Sequence, residues 1–279
     1  MRATSRAGGG ARPGGLGSRA TTREARLTTT TSHLGLRGAA PGVRLIAVDW
    51  LRTLAIFAMV VFHFGRDFEV LGLVPPGTTF GGLWDLSALA IASGFLFLAG
   101  LSLWLAHGGG FRARSYFRRL GLLTLAAFGV SVATYVAVPE AWIRFGILHS
   151  IALASLIGLA FLRLPFWATA GIAAAVLWFG PTLKSPAFDG VWWLWSGLGT
   201  RVPPMIDYEP MIPFLAPLLL GLAFGQAGGS RLLTWGPGRP ARLAEALAWP
   251  GRHALSLYLM HQPVLIAAIW GGAWIWGRI

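Results

Sequence analysis

The chain has no cysteine and little charge of either sign. Without a thiol in its 279 residues, disulfides and thiolate metal sites are excluded. Charged residues make up 12% and hydrophobic ones 55%, whereas soluble domains carry roughly 25% charged. A chain this poor in charge, and long enough for several spans of about 20 residues, reads as an all-α polytopic membrane helix bundle. Also missing are GxxxxGK(S/T), GxGxxG, HExxH and GxSxG. Nucleotide hydrolysis, dinucleotide binding, zincin chemistry and the nucleophile elbow are thereby left without support, and no metal is expected.

What charge there is has a pattern. The net charge is +13, and lysine is nearly absent, since 22 of the 23 basic residues are Arg. Eight Arg precede residue 45 against one acid, Glu24, and the rest cluster between apolar runs, as topology determinants do. No nucleic-acid partner is expected. Residues 1–42, with GGGARPGGLGS and LTTTTSHLG, cannot bury enough apolar surface to fold. They read as a disordered basic tail, as an organelle transit peptide, or as a stretch upstream of a start nearer Val43. The membrane domain is expected over 43–279.

From residue 43 the apolar runs predict seven transmembrane helices over 45–64, 84–106, 117–138, 145–162, 166–183, 211–228 and 254–276. Alternate loops carry excess Arg: the tail, then Arg112 to Arg119, then Arg163, then Arg231 to Arg252. These go to the cytoplasm and leave the carboxyl terminus outside. The outer loop 184–210 contains Trp192, Trp193 and Trp195, which read as an interfacial anchor or as a stacking surface for a sugar. Gly221 and Gly225 in GLAFG match a small-residue packing motif.

The first span carries ionisable residues that cost about 2.5–3.5 kcal/mol each on insertion scales. At about 100° per residue, Asp49, Arg52, His63 and Asp67 fall within about 60° of one another. One stripe therefore faces the bundle interior. Asp49 and Arg52 can pair at i, i+3 near the cytoplasmic mouth, and His63 lies about 21 Å further along. His63 is a candidate general base or acyl acceptor, with Asp67 as its orienter. Arg52 with Arg118 and Arg119 is a candidate holder of an anionic donor. The bland alternative is that Asp49 and Arg52 only join two helices and that His63 is a solvated interfacial histidine. His149 is placed near the depth of His63, and His261 in the inner half of the last span. Each of these two is a packed histidine or a further site residue.

In order, RLIAVDWLRTLAIFAMVVFHF, FLFLAGLSL, RRLGLL, FGILHSIALASL, DYEPMIPFLAPLLLGLAFG and GRHALSLYLMHQPVL resemble the bacterial members of the heparan-alpha-glucosaminide N-acetyltransferase catalytic-domain family, over about residues 43–270. The resemblance implies a multi-span acyltransferase in a bacterial inner membrane. Its co-substrate would be cytoplasmic acetyl-CoA, and its acceptor an amino sugar or other glycan across the lipid bilayer, acetylated through a histidine. In the family's lysosomal enzyme the implicated histidine lies in the outer loop after the first helix. The corresponding loop here, 65–83, has none, and His63 is the nearest candidate. A transporter or non-catalytic membrane protein using the same polar stripe is the alternative reading.

Overall fold

The computed structural model describes residues 45–234, 242–275 and 277. The expected tail, 1–42, lies outside the described residues. The chain forms helices α1 (Ile46–Val70), α2 (Gly82–His107), α3 (Ala113–Ala137), α4 (Ile147–Gly158), α5 (Phe166–Phe179), α6 (Met211–Gln226), α7 (Arg242–Arg252) and α8 (Ala254–Ile275). Among the described residues there is no strand. All seven expected apolar segments are helical. Five have the length and hydropathy to cross a membrane: α1, α2, α3, α8, and α5 with the 3-10 turn that carries it to Leu183. The other two, α4 and α6, are shorter apolar helices.

The packing centres on α6, which lies against α2, α4 and α5. Its contact with α2 depends on small residues. A side chain at Gly100 would strike the Leu218 carbonyl, one at Gly221 the Phe97 carbonyl, and one at Gly225 the Trp104 ring. The two backbones thus approach reciprocally, which glycine alone permits. Leu96, Leu218 and Leu219, all fully buried, fill the space beside them.

On α1, Leu54, Phe57, Val61 and Phe64 are exposed, while Val48, Ile56 and Met59 are buried. The exposed residues form the lipid face, and the polar stripe lies on the buried one. Asp49 and Asp67 are 1% and 2% exposed, as a stripe facing the interior requires.

Two features depart from the sequence expectation. First, α1 continues to Val70 rather than ending at residue 64, so His63 lies about 10 Å short of its far end. Second, α7 occupies what reads as a plain loop. It is short and amphipathic, with Leu243, Leu247 and Trp249 exposed and Ala248 and Gly251 buried. α7 docks on the first turns of α1. Trp50 Nε1 donates to the Ala244 carbonyl at 2.9 Å, Thr53 Oγ1 donates to the Leu247 carbonyl at 2.8 Å, and Gly251 N donates to Thr53 Oγ1 at 2.9 Å.

Candidate functional site

The polar residues fall into three layers, two along the α1 stripe and a third at the start of α4. At the α7 end, the Asp49 carboxylate accepts from Arg52 at 2.9 Å and pairs with Arg252 at 3.4 Å. Arg252 also pairs with Glu245 at 2.6 Å, and Arg52 donates to Ser102 Oγ on α2 at 2.7 Å. The two guanidiniums compensate the charge of this buried carboxylate. Asp49 and Arg52 therefore join α1 to α2 and α7. Arg119 is exposed, within electrostatic reach of Arg52, and has no ion-pair partner among the described residues. Arg118 lines a hollow with Arg112, Arg114 and Ser115 at the start of α3.

The second layer is formed by α1 and α8. The His63 and His261 rings lie 5.0 Å apart between centroids, and the Tyr258 ring is 5.5 Å from His261. One turn beyond His63, Gln262 Nε2 donates to Asp67 Oδ1 at 2.6 Å. Asp67 thus engages Gln262, not His63. Four residues on from His63, its carboxyl already points at α8. His261, expected in the inner half of its span, is the eighth of the 22 residues of α8, and its ring lies at the level of His63 on α1. Thr53 and Gly251 are hydrogen-bonded, and His63 and His261 each lie ten residues further on. Within α1 this puts His63 about 15 Å along from that contact, and the ring contact holds His261 level with it.

The hydrogen bonding also fixes the tautomer of His261. Its Nδ1 contacts the Tyr258 carbonyl, and a carbonyl can only accept, so Nδ1 carries the proton. In the neutral ring Nε2 then holds the lone pair. That atom is buried without a partner, as are Asp67 Oδ2 and Gln262 Oε1. Pro263 follows directly within the helix, where its missing N–H leaves the Leu259 carbonyl without its helical donor.

The third layer is at the start of α4. Gly146 has no side chain to cap this helix, and Asp207, from the loop before α6, supplies the cap by accepting from Ile147 N at 2.9 Å. A side chain at residue 146 would collide with that carboxylate. His149 was a candidate catalytic residue, but both its nitrogens are committed. Gly146 N donates to Nδ1 at 3.3 Å, so Nε2 carries the proton toward Ser131 Oγ at 3.3 Å, and Ser131 donates to the Ile143 carbonyl at 2.7 Å. The chain of bonds runs one way and leaves His149 no free lone pair. It ties α3 to α4.

Beside Asp207, Glu209 Oε2 is buried without a partner. Burial pushes the Asp207 carboxyl up to about 6, opposed in part by the Ile147 N–H. Burial, reinforced by the charge of Asp207, pushes Glu209 up to about 9. Both carboxyls bear electrostatically on the Tyr258 phenol, so the third layer adjoins the second. Asp207, Glu209, Tyr258 and Gln262 were not singled out from the sequence. The available signals were two acids in DYEP and a lone amide in an apolar run. No group of three His, Asp or Glu with metal-binding spacing occurs among the described residues.

Neither a curated protein nor a solved structure matches the chain. The family model described as heparan-alpha-glucosaminide N-acetyltransferase, catalytic, matches residues 44–263, a stretch containing every residue of the three layers. The chain therefore belongs to the heparan-alpha-glucosaminide N-acetyltransferase catalytic family.

Proposed function

We propose that the protein transfers an acetyl group from acyl-CoA, taken up at the cytoplasmic face, to an amine or hydroxyl of a glycan on the other side of the membrane. The observation that carries this reading is the His63–His261 pair, in a chain that belongs to an N-acetyltransferase family. Arg118 and Arg119, with Arg52 behind them, suit the phosphates of the donor. Asp49 holds Arg52 in place.

At the second layer the acceptor nitrogen or oxygen attacks the thioester carbonyl carbon. The new bond to carbon forms, the carbon–sulfur bond breaks, and CoA leaves as the thiolate. His63 takes the proton released by the acceptor and returns it to the thiolate sulfur. In a two-step version His63 first carries the acetyl group itself. His261 positions His63 and offers Nε2 as a second proton acceptor, and Gln262 and Asp67 fix the turn beyond.

The test is purified protein with labelled acetyl-CoA and a panel of cell-envelope sugars. Acceptor-dependent loss of acetyl-CoA with label appearing in the sugar is expected. No dependence on acyl-CoA, together with solute flux in proteoliposomes, would instead make the stripe a transport path.

A further inference from the structure

Arg66 stands apart from every other cation near the second layer. It lies one turn beyond His63 on α1, half-buried, with its guanidinium 4.8 Å from the centroid of the Phe80 ring. Two carboxylates are close in sequence, and both are engaged elsewhere. Asp67 accepts from Gln262 at 2.6 Å. Glu69, at i+3 the natural partner of Arg66, closes the loop after α1 instead. It accepts from Gly77 N at 2.6 Å, Thr79 N at 2.7 Å and Thr79 Oγ1 at 2.5 Å. Among the described residues Arg66 makes no ion pair and no side-chain hydrogen bond. A guanidinium presents five N–H donors in a planar fork that matches carboxylate and phosphate, and among the described residues none of these is used.

Its direction separates two sources for such an anion. At about 100° per residue Arg66 is about 60° from His63 around α1. The exposed Phe57, Val61 and Phe64 lie about 100–160° from His63 on the opposite side. Arg66 therefore faces the side of α1 that carries the histidine pair and not the side of Phe57, Val61 and Phe64. A headgroup phosphate would have to reach it over the exposed Val70 and Phe80 at the end of α1.

We infer that Arg66, seated on Phe80, is a specificity-determining residue that binds an anionic substituent, a carboxylate or phosphate, of the acceptor glycan and so positions its nucleophile at His63. This rests on the acyl-transfer reading for the word acceptor. The binding itself does not depend on it.

The experiment is equilibrium dialysis of the purified protein with a neutral amino sugar and with the same sugar bearing a carboxylate or a phosphate, run beside the labelled acetyl-CoA assay. The anionic sugar is expected to bind at least about tenfold more tightly, as one charge-assisted fork implies. Arg66→Gln is expected to bring the anionic-to-neutral ratio to about one, and Arg66→Lys to keep part of it. Equal binding of the two sugars by the wild type overturns the inference whatever the variants do, as does a preference that persists in Arg66→Gln. A third arm adds phosphatidylglycerol vesicles. Competition with the anionic sugar that Arg66→Gln abolishes would assign the site to lipid and overturn the acceptor role. Preference without any transfer would remove the acyl-transfer reading and leave the anion site. Transfer without preference would do the reverse.

Discussion

His63 and His261 meet at 5.0 Å between ring centroids, although 198 residues separate them in the chain. The Thr53–Gly251 hydrogen bond holds the end of α7 on α1, and the Gln262–Asp67 hydrogen bond holds α8 on α1 one turn beyond the pair. Because the proton on His261 Nδ1 is directed at a backbone carbonyl, its Nε2 is available to receive another. Removing either histidine is expected to lower acetyl transfer by about 10²–10⁴-fold, the usual size of a general-base contribution. The double variant should be little worse than the worse single one, because groups that act as a unit are not additive. Transfer rates for His63→Ala, His261→Phe and the pair check this. Full activity in His63→Ala would remove His63 from the chemistry.

Glu209 sets a pH dependence. Its carboxyl is pushed to about 9 and that of Asp207 to about 6, burial being the main cause in both. A raised carboxyl means that the folded state favours the proton. The associated stability is complete below the ordinary carboxylate range and is lost as pH rises through about 6 and then about 9. At pH 7 Glu209 is therefore neutral and Asp207 largely ionised. Between pH 7 and 10 the melting midpoint of the wild type is expected to fall by about 5 °C, a shift of one to two kcal/mol for a chain of this size. Glu209→Gln keeps the shape of the neutral acid and should show a clearly smaller fall. An identical fall in the variant would show that Glu209 is not the titrating group.

The α2–α6 contact gives a sharper structural prediction. Gly221 faces the Phe97 carbonyl and Gly100 the Leu218 carbonyl, so an added methyl meets backbone and cannot be relieved by a rotamer change. Gly221→Ala and Gly100→Ala should each cost about 2–4 kcal/mol, in the upper range for overpacking. They should lower the yield of monodisperse protein. Gly121→Ala, on α3 with open space around its Cβ position, is the control and should leave both yield and melting point intact.

How far the sequence was legible depended on the range of the interaction. The apolar runs marked all seven hydrophobic helices because each is specified by its own residues. The stripe from Asp49 to Asp67 was readable because helical geometry is local. What escaped depends on neighbours distant in the chain. The role of Gln262 appears only when α8 is docked on α1, and the cap that Asp207 gives to Ile147 spans 60 residues. α7 was missed for another reason. Its exposed leucines alternate with charge and with Pro250, which reads as loop until Trp50 and Thr53 supply partners for its backbone. His149 illustrates the converse case. Its residue type and depth suggested chemistry, yet its two nitrogens are occupied by Gly146 N and Ser131 Oγ.

Arginine asymmetry makes the topology testable through α4, the shortest of the hydrophobic helices. With its 3-10 extension α4 reaches Phe161, a length of about 24 Å, less than the roughly 30 Å of a hydrocarbon core. Non-helical backbone is tolerated at membrane depth only where protein satisfies it, and both ends of α4 meet that condition. At one end Asp207 accepts from Ile147 N at 2.9 Å. At the other, Gln226 Nε2 donates to the Phe161 and Leu164 carbonyls at 2.8 and 2.9 Å. We therefore expect α4 to cross, placing Arg114 and Arg201 on opposite sides because α3, α4 and α5 lie between them. A reporter active only outside the cytoplasm should then be active when fused after Arg201 and silent after Arg114. Equal signals would mean that α4 enters and leaves by the same face. The reverse pattern would invert the whole bundle and place the arginines around α3 away from any cytoplasmic donor.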